Sequence, residues 1–185
     1  MNMIEQPTRE LLELQLLPQN SSGVEIGVLR GTHARWMIEN LHTSTVYLVD
    51  HWKSYFRDGV PRESRKREAQ YAGILNRFAA EIVSGAVIVL RGSSSEVHTK
   101  IPDGSLNWVY VDGLHTYEGC LYDMETYRPK LLSGGHMLVH DYNAKTSPAN
   151  GTKRAVAEYL HNHPKDIVVG NSMEYSGEIA IRCSL

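Results

Sequence analysis

VEIGVLRGT, residues 24–32, decides how this chain is read: an apolar run carrying Glu25 leads into Gly27 and Gly31, and an amphipathic helical pattern follows. The run suits a buried parallel strand, and glycines directly behind it accept positive φ and let a ligand approach the backbone closely. Such a stretch is a nucleotide-binding turn. Its spacing is E-x-G-x-x-x-G and not the G-x-G-x-x-G that seats a pyrophosphate on a helix N-terminus. A carboxylate in the turn would repel phosphate, so the turn suits a phosphate-free, positively charged cofactor such as S-adenosylmethionine, with its sulfonium and amino group. A second anchor is YLVDHW at 47–52, an apolar strand ending in Asp50. A carboxylate about twenty residues beyond the turn is placed to accept hydrogen bonds from ribose hydroxyls.

Outward from these anchors, strand-like runs fall at 24–28, 46–49, 86–90, 107–111, 136–140, 166–169 and 178–182. Most are separated by helical periodicity, as in Tyr117, Cys120, Leu121, Met124 and Tyr127. Alternation of this kind predicts an α/β fold of Rossmann-like, doubly wound type, a seven-stranded and mostly parallel sheet with helices on both faces. Only Gly170 to Ser176 separates the last two runs, too few residues for a crossover, so the last strand is expected to be antiparallel. The pattern is that of a single domain over 1–185, with an N-terminal helical segment at 1–22. Segment 51–70, HWKSYFRDGVPRESRKREAQ, is out of pattern and leaves the edge where ligands sit, as a lid would; the alternative is that RESRKRE opens a long solvated helix running to about Ile82.

Composition narrows the class. A chain of 185 residues can bury about 70% of its extended surface. Its formal charge of −2 lacks the basic excess of a nucleic-acid binder. No apolar stretch reaches the ~18 residues of a membrane span, and MNMIEQPTRE has no signal-peptide pattern. Cys120 and Cys183 form no spacing motif and are expected to be reduced thiols of a soluble, cytoplasmic protein.

With LNWVYVDGLHTYEG at 106–119 and GGHMLVHDY at 134–142 as third and fourth stations, the chain resembles the class I S-adenosylmethionine-dependent methyltransferases from Val24 to the last strand. The last two stations are most similar to the small metal-dependent O-methyltransferases of the catechol and macrolide-sugar kinds. The resemblance implies S-adenosylmethionine as cofactor, with Glu25, Gly27, Leu29, Gly31, Thr32, Asp50, His51, Gly92, Ser93, Ser94, Asp112 and Gly113 around it. In the metal-dependent relatives an Asp at the end of the fourth strand and an acidic pair at the end of the fifth hold the ion. Here Asp112 matches the first, but the pair is His140-Asp141, one carboxylate short.

The chemistry-bearing residues stand at strand carboxyl ends, which lie side by side in such a sheet. Asp112 and Asp141, facing each other, either share a proton or hold a divalent ion, so a weak Mg²⁺ or Mn²⁺ site from Asp112, Asp141 and His140 is expected. The alternative makes Asp112 a loop cap and His140 a hydrogen-bonded strand residue. His115, in D-G-L-H, is the candidate general base, since a histidine suits proton removal near neutral pH, with Asp112 beside it; the alternatives are a metal ligand, a cofactor contact or a structural loop histidine. In the macrolide-sugar relatives the matching position also carries His. Ser93 or Ser94 of RGSSSE could read an adenine edge, while Ser94 or Ser95 could equally cap the next helix. Trp52, Tyr55 and Phe56 could stack on an acceptor or on adenine, or pack the lid. GTKRAVAEYL at 151–160 is an amphipathic helix, and the loop Tyr142 to Asn150 before it borders the site.

The expected reaction is methyl transfer to a small-molecule hydroxyl of a sugar, phenol or natural product. The basic run Arg62 to Arg67 suits an anionic acceptor, and a homodimer is the one protein partner considered. A nicotinamide oxidoreductase is opposed by the missing third glycine and by the acid in the turn. A binding module without turnover is opposed by the presence of Asp112 and His115 together with Glu25 and Asp50.

Overall fold

The computed structural model describes every residue except 1–6, 54, 58–59, 63, 145–149 and 173–175. The chain opens with helix α1 (Arg9–Leu16), where the Thr8 hydroxyl caps the first turn by accepting from the Leu11 N–H. Strand β1 (Ser22–Ile26), α2 (Thr32–Leu41) and β2 (Thr45–Asp50) follow. A short antiparallel pair, β3 (Tyr55–Arg57) and β4 (Val60–Arg62), then interrupts the alternation. Next come α3 (Ser64–Arg77), α4 (Ala79–Ser84), β5 (Val87–Arg91), the four-residue α5 (Ser94–Val97) and β6 (Leu106–Val111). The chain closes with α6 (Tyr117–Tyr127), β7 (Leu131–His140), α7 (Gly151–Asn162), β8 (Ile167–Ser172) and β9 (Glu178–Arg182).

The seven long strands form one sheet in the order β5-β2-β1-β6-β7-β9-β8. β5, β2, β1, β6 and β7 run parallel, and β9 is antiparallel to both its neighbours, as the short connection before it demands. The chain works outward from β1 to β5 and then returns to β6, which makes the β1–β6 boundary the switch point where such sheets bind ligands.

Strand periodicity sends alternate residues to two cores. Val24, Ile26, Val109, Val111 and Val139 pack against Cys120, Met124 and Tyr127 of α6 and Ala155, Val156 and Tyr159 of α7. On the other face, Val46, Leu48, Trp108, Tyr110, Leu138 and Ala180 meet Leu12 of α1, Ala34, Met37 and Leu41 of α2, and Ile74 of α3. Glu25, between Val24 and Ile26, therefore faces α1 and α2.

Segment 51–70 contains both the β3–β4 hairpin and the first turns of α3, and helix continues only to Arg77 before Phe78 separates α3 from α4. The strand expected at 136–140 begins at Leu131, because Leu106 and Leu131 pair ahead of a bulge, and the strand expected at 166–169 lies at 167–172. Cys120 and Cys183 are buried and free. Among the described residues no helix is long and apolar enough to cross a membrane.

Candidate active site

The switch point is tight. Gly27 has φ +93°, and a Cβ there would lie 2.0 Å from the Asp112 carbonyl oxygen, so only glycine lets the ends of β1 and β6 approach this closely. Gly31, at φ +68°, caps α2 and packs against Ile74 and Phe78. Asp50 clasps the two neighbouring loops: its Oδ2 accepts from the Leu29 N–H at 2.9 Å, and its Oδ1 accepts from the Trp52 N–H at 2.8 Å. The Trp52 indole N–H returns a bond to the Leu29 carbonyl at 3.0 Å. This clasp holds Leu29 at φ +52°, an uncommon conformation for a residue with a side chain. Each Asp50 oxygen keeps a lone pair for a ligand hydroxyl.

Behind the clasp lies a cavity of about 970 Å³. Glu25, Gly27, Leu29, Thr32, Asp50, His51, Gly92, Ser93, Ser94, Asp112, Gly113 and His115 line it; Gly31 stands just outside, and His140 and Asp141 lie beyond its wall. Trp52 does not face the cavity. It is fully buried, with its ring 5.3 Å from that of Tyr71 on α3, which answers the choice between stacking and packing for this residue. The residue that opens α5 is Ser93, whose N–H donates to the Glu96 carboxylate at 2.9 Å, rather than Ser94 or Ser95.

At the mouth of the cavity the parallel register Val111↔Val139 sets Asp112 beside His140. Asp112, His115 and Asp141 each offer one ligand atom, and the three atoms lie within 4.8 Å of one another. His115 Nε2 is 3.2 Å from Asp141 Oδ2, which sets a second carboxylate near the imidazole beside the expected Asp112. Asp141 reaches this position with φ +56°, the left-handed turn that ends β7. His140 Nδ1 stands 3.2 Å from Asp112 Oδ1 and 3.3 Å from Asp141 Oδ1, without hydrogen-bond geometry to either. Either histidine is thus near enough to complete a cation site with the two acids: His115 through the three-residue cluster, and His140, the expected third ligand, within 3.3 Å of both. Part of the loop from Tyr142 to Asn150, residues 145–149, lies outside the described residues.

Two further groups at the cavity escaped the sequence reading. His33, on α2, places Nε2 2.9 Å from Glu13 Oε1 of α1 and Nδ1 3.6 Å from Glu25 Oε1. Burial opposes its charge, but the carboxylates of Glu13 and Glu25 outweigh it and push its pKa up to about 10. Asp123, on α6, is buried among Ser94 and Gly113, and burial pushes its carboxyl up to about 6. Both leave a trace in the sequence. His33 shares a stripe with Met37 and Leu41, and Asp123 lies within the apolar stripe of Cys120, Met124 and Tyr127, where a polar residue calls for a partner.

A seven-stranded sheet with one reversed strand, an acid-and-glycine turn after β1 and a carboxylate clasp after β2 define a class I methyltransferase fold. Residues 24–142 match the methyltransferase domain family, and the chain belongs to it as an S-adenosylmethionine-dependent methyltransferase. No curated protein matches the sequence significantly. Among solved structures the chain is similar to the O-methyltransferase NovP, with 20% identity, TM-score 0.65, and 96% of this chain and 80% of that one covered. It is also similar to the Podospora anserina methyltransferase PaMTH1 bound to S-adenosylhomocysteine, with 17% identity, TM-score 0.61, and 89% and 72% covered. An rRNA methylase from Streptococcus thermophilus shares the fold at 12% identity, TM-score 0.65, with both chains fully covered.

Proposed function

We propose that the protein methylates a hydroxyl of a small molecule, using S-adenosylmethionine held in the cavity behind Asp50 and a divalent cation held by Asp112 and Asp141, with the His115 imidazole left free as the base. The observation that carries this reading is the convergence of two carboxylates and an imidazole at the cavity mouth. Carboxylate oxygens suit Mg²⁺ or Mn²⁺; Asp112 and Asp141 each offer one within 4.8 Å of the other, and His140 stands within 3.3 Å of both acids. Bound there, such an ion supplies Lewis acidity to an acceptor oxygen.

The protein's own groups do the rest. Asp50 offers its spare lone pairs to ribose, Glu25 offers a carboxylate to the amino group of the methionine end, and Ser94 and Asp123 present polar atoms to the base. His115 is placed to take the acceptor hydroxyl proton onto its imidazole as the oxygen attacks, and Asp141 steadies the imidazolium that results. Holding donor and acceptor in line supplies the larger share of the rate. Arg30 and Arg67 on the cavity wall favour an acceptor that carries negative charge.

A small acceptor is favoured over RNA by the net charge of −2, although RNA methylases share the fold. The test is methyl transfer from labelled S-adenosylmethionine to a panel of phenols, sugars and their phosphates, alongside transfer RNA, with and without chelator. Transfer to a small hydroxyl that is lost on chelation and restored by Mg²⁺ or Mn²⁺ supports the reading. Transfer to RNA alone overturns the acceptor, and turnover indifferent to chelation overturns the metal.

A further inference from the structure

A buried ionic chain runs from the N-terminal helix to the cofactor cavity. Glu13 is fully buried on the inner face of α1, and its Oε1 meets His33 Nε2 at 2.9 Å; His33 Nδ1 in turn faces Glu25 Oε1 at 3.6 Å. A neutral imidazole has one N–H and one lone pair, so between two carboxylates it would turn the lone pair on one of them. The imidazolium turns an N–H toward each, bonding Glu13 and standing 3.6 Å from Glu25, where it acts through charge. Around this chain stand Arg9 of α1, whose Nε is 3.9 Å from Glu13, the Tyr110 ring of β6, 4.0 Å from the His33 ring, and the buried Glu178 of β9.

The chain is unfinished on the cavity side. Glu25 Oε2 and His33 Nδ1 are buried without a hydrogen-bond partner among the described residues, although Glu25 and His33 both line the cavity. Polar atoms in that state call for a ligand. Burial holds the Glu25 carboxyl above its ordinary range, and the positive His33 is what limits that rise, so losing the His33 charge would leave Glu25 to protonate. An ionised Glu25 makes charge-assisted hydrogen bonds to an ammonium, roughly twice as strong as neutral ones.

We propose that His33, held as a cation by Glu13, is a positioning residue that keeps Glu25 ionised and oriented for the amino group of the methionine end, so that α1 takes part in cofactor capture. This rests on the cavity being the S-adenosylmethionine site. It extends the source of amino-acid-end affinity beyond the cavity wall, to Glu13 in a helix that lies before the residues of the family match.

Two ligands separate this role from a structural one. S-adenosylhomocysteine carries the amino-acid end, and methylthioadenosine carries the same nucleoside without it. Calorimetry on Glu13→Gln and His33→Gln should show S-adenosylhomocysteine binding weakened by about 10- to 100-fold, the range of a lost charged hydrogen bond, while methylthioadenosine binding is unchanged. In a Glu25→Gln background the Glu13→Gln change should add nothing further. Equal weakening of both ligands would reduce His33 to a packing residue, and unchanged S-adenosylhomocysteine binding would overturn the proposal. Glu13→Gln preserves shape and keeps the test open if His33→Gln does not fold. A wild-type protein that binds neither ligand would instead overturn the cofactor site itself, and the proposal with it.

Discussion

Asp50 serves two purposes with the same two oxygens, since each accepts a backbone N–H and has a lone pair to spare. Asp50→Ala should therefore weaken S-adenosylhomocysteine binding by about 1 to 3 kcal/mol and also lower the melting temperature, because the Leu29 and Trp52 amides lose their acceptor. Calorimetry and thermal melts on one sample separate the two effects. His115→Ala should keep cofactor affinity and lose roughly 10²- to 10⁴-fold in turnover, the usual size of a general-base contribution; near-normal turnover would remove His115 from the chemistry. Asp123 is the residue whose stability and role pull apart. Its carboxyl rises on folding to about 6 from an ordinary 3.8, so protonation favours the folded state. The stability it contributes is complete below pH ~4 and is lost as pH rises through 6, a loss of about 3 kcal/mol at most. Asp123→Asn should thus melt higher than wild type at pH 8 and show no advantage at pH 4, while binding S-adenosylhomocysteine less tightly because Asp123 lines the cavity. Asp50 and His115 were legible because each follows an apolar strand. Asp123 and His33 were masked by the helical periodicity they share with core residues.

At the scale of elements, the turn after β1 holds the site together by a backbone contact. Gly27→Ala would impose a Cβ 2.0 Å from the Asp112 carbonyl at a positive φ, so β1 and β6 would have to part. Gly85→Ala is the control: its φ of +80° is similar, but nothing among the described residues lies within 4 Å of the added Cβ. Gly85→Ala should cost about 1 to 2 kcal/mol, the strain of a left-handed residue alone, and leave binding intact. Gly27→Ala should cost more in urea denaturation and abolish S-adenosylhomocysteine binding. Equal costs would mean that the β1–β6 approach is not tight in solution. The strands and α2, α6 and α7 were legible from period alone. The β3–β4 hairpin was not, although Asp58-Gly59 between SYFR and VPR is a hairpin signal, because the aromatic and basic residues around it drew the segment toward a lid.

Across the whole molecule, a second ionic centre far in sequence from the cofactor turn ties the C-terminal third of the chain. Asp166 accepts from Arg128 Nε and Nη2 at 2.9 and 3.0 Å, from the Tyr159 hydroxyl at 2.8 Å and from the Ser184 N–H at 2.7 Å. Burial works against its charge, but Arg128 and the other donors outweigh it and hold its carboxyl below the usual range. A depressed folded-state value means stability that is present above the ordinary Asp range and lost as pH falls through the lower folded value. Asp166→Asn should cost about 3 kcal/mol at pH 7, and its melting temperature should converge on that of wild type as pH falls below 4; a constant gap would show that charge is not what Asp166 supplies. The sequence alone determined the sheet, its reversed last strand and the row of chemical residues at its edge, since parallel strands bring their carboxyl ends together whatever lies between them. Which residues meet there was decided by the tertiary structure. His115 pairs with Asp141, His140 stands between Asp112 and Asp141, and Glu13 reaches His33 from another helix. Period tells which face a side chain takes, but charge acts through space, and the partner on that face depends on register and reach between elements that the sequence keeps apart.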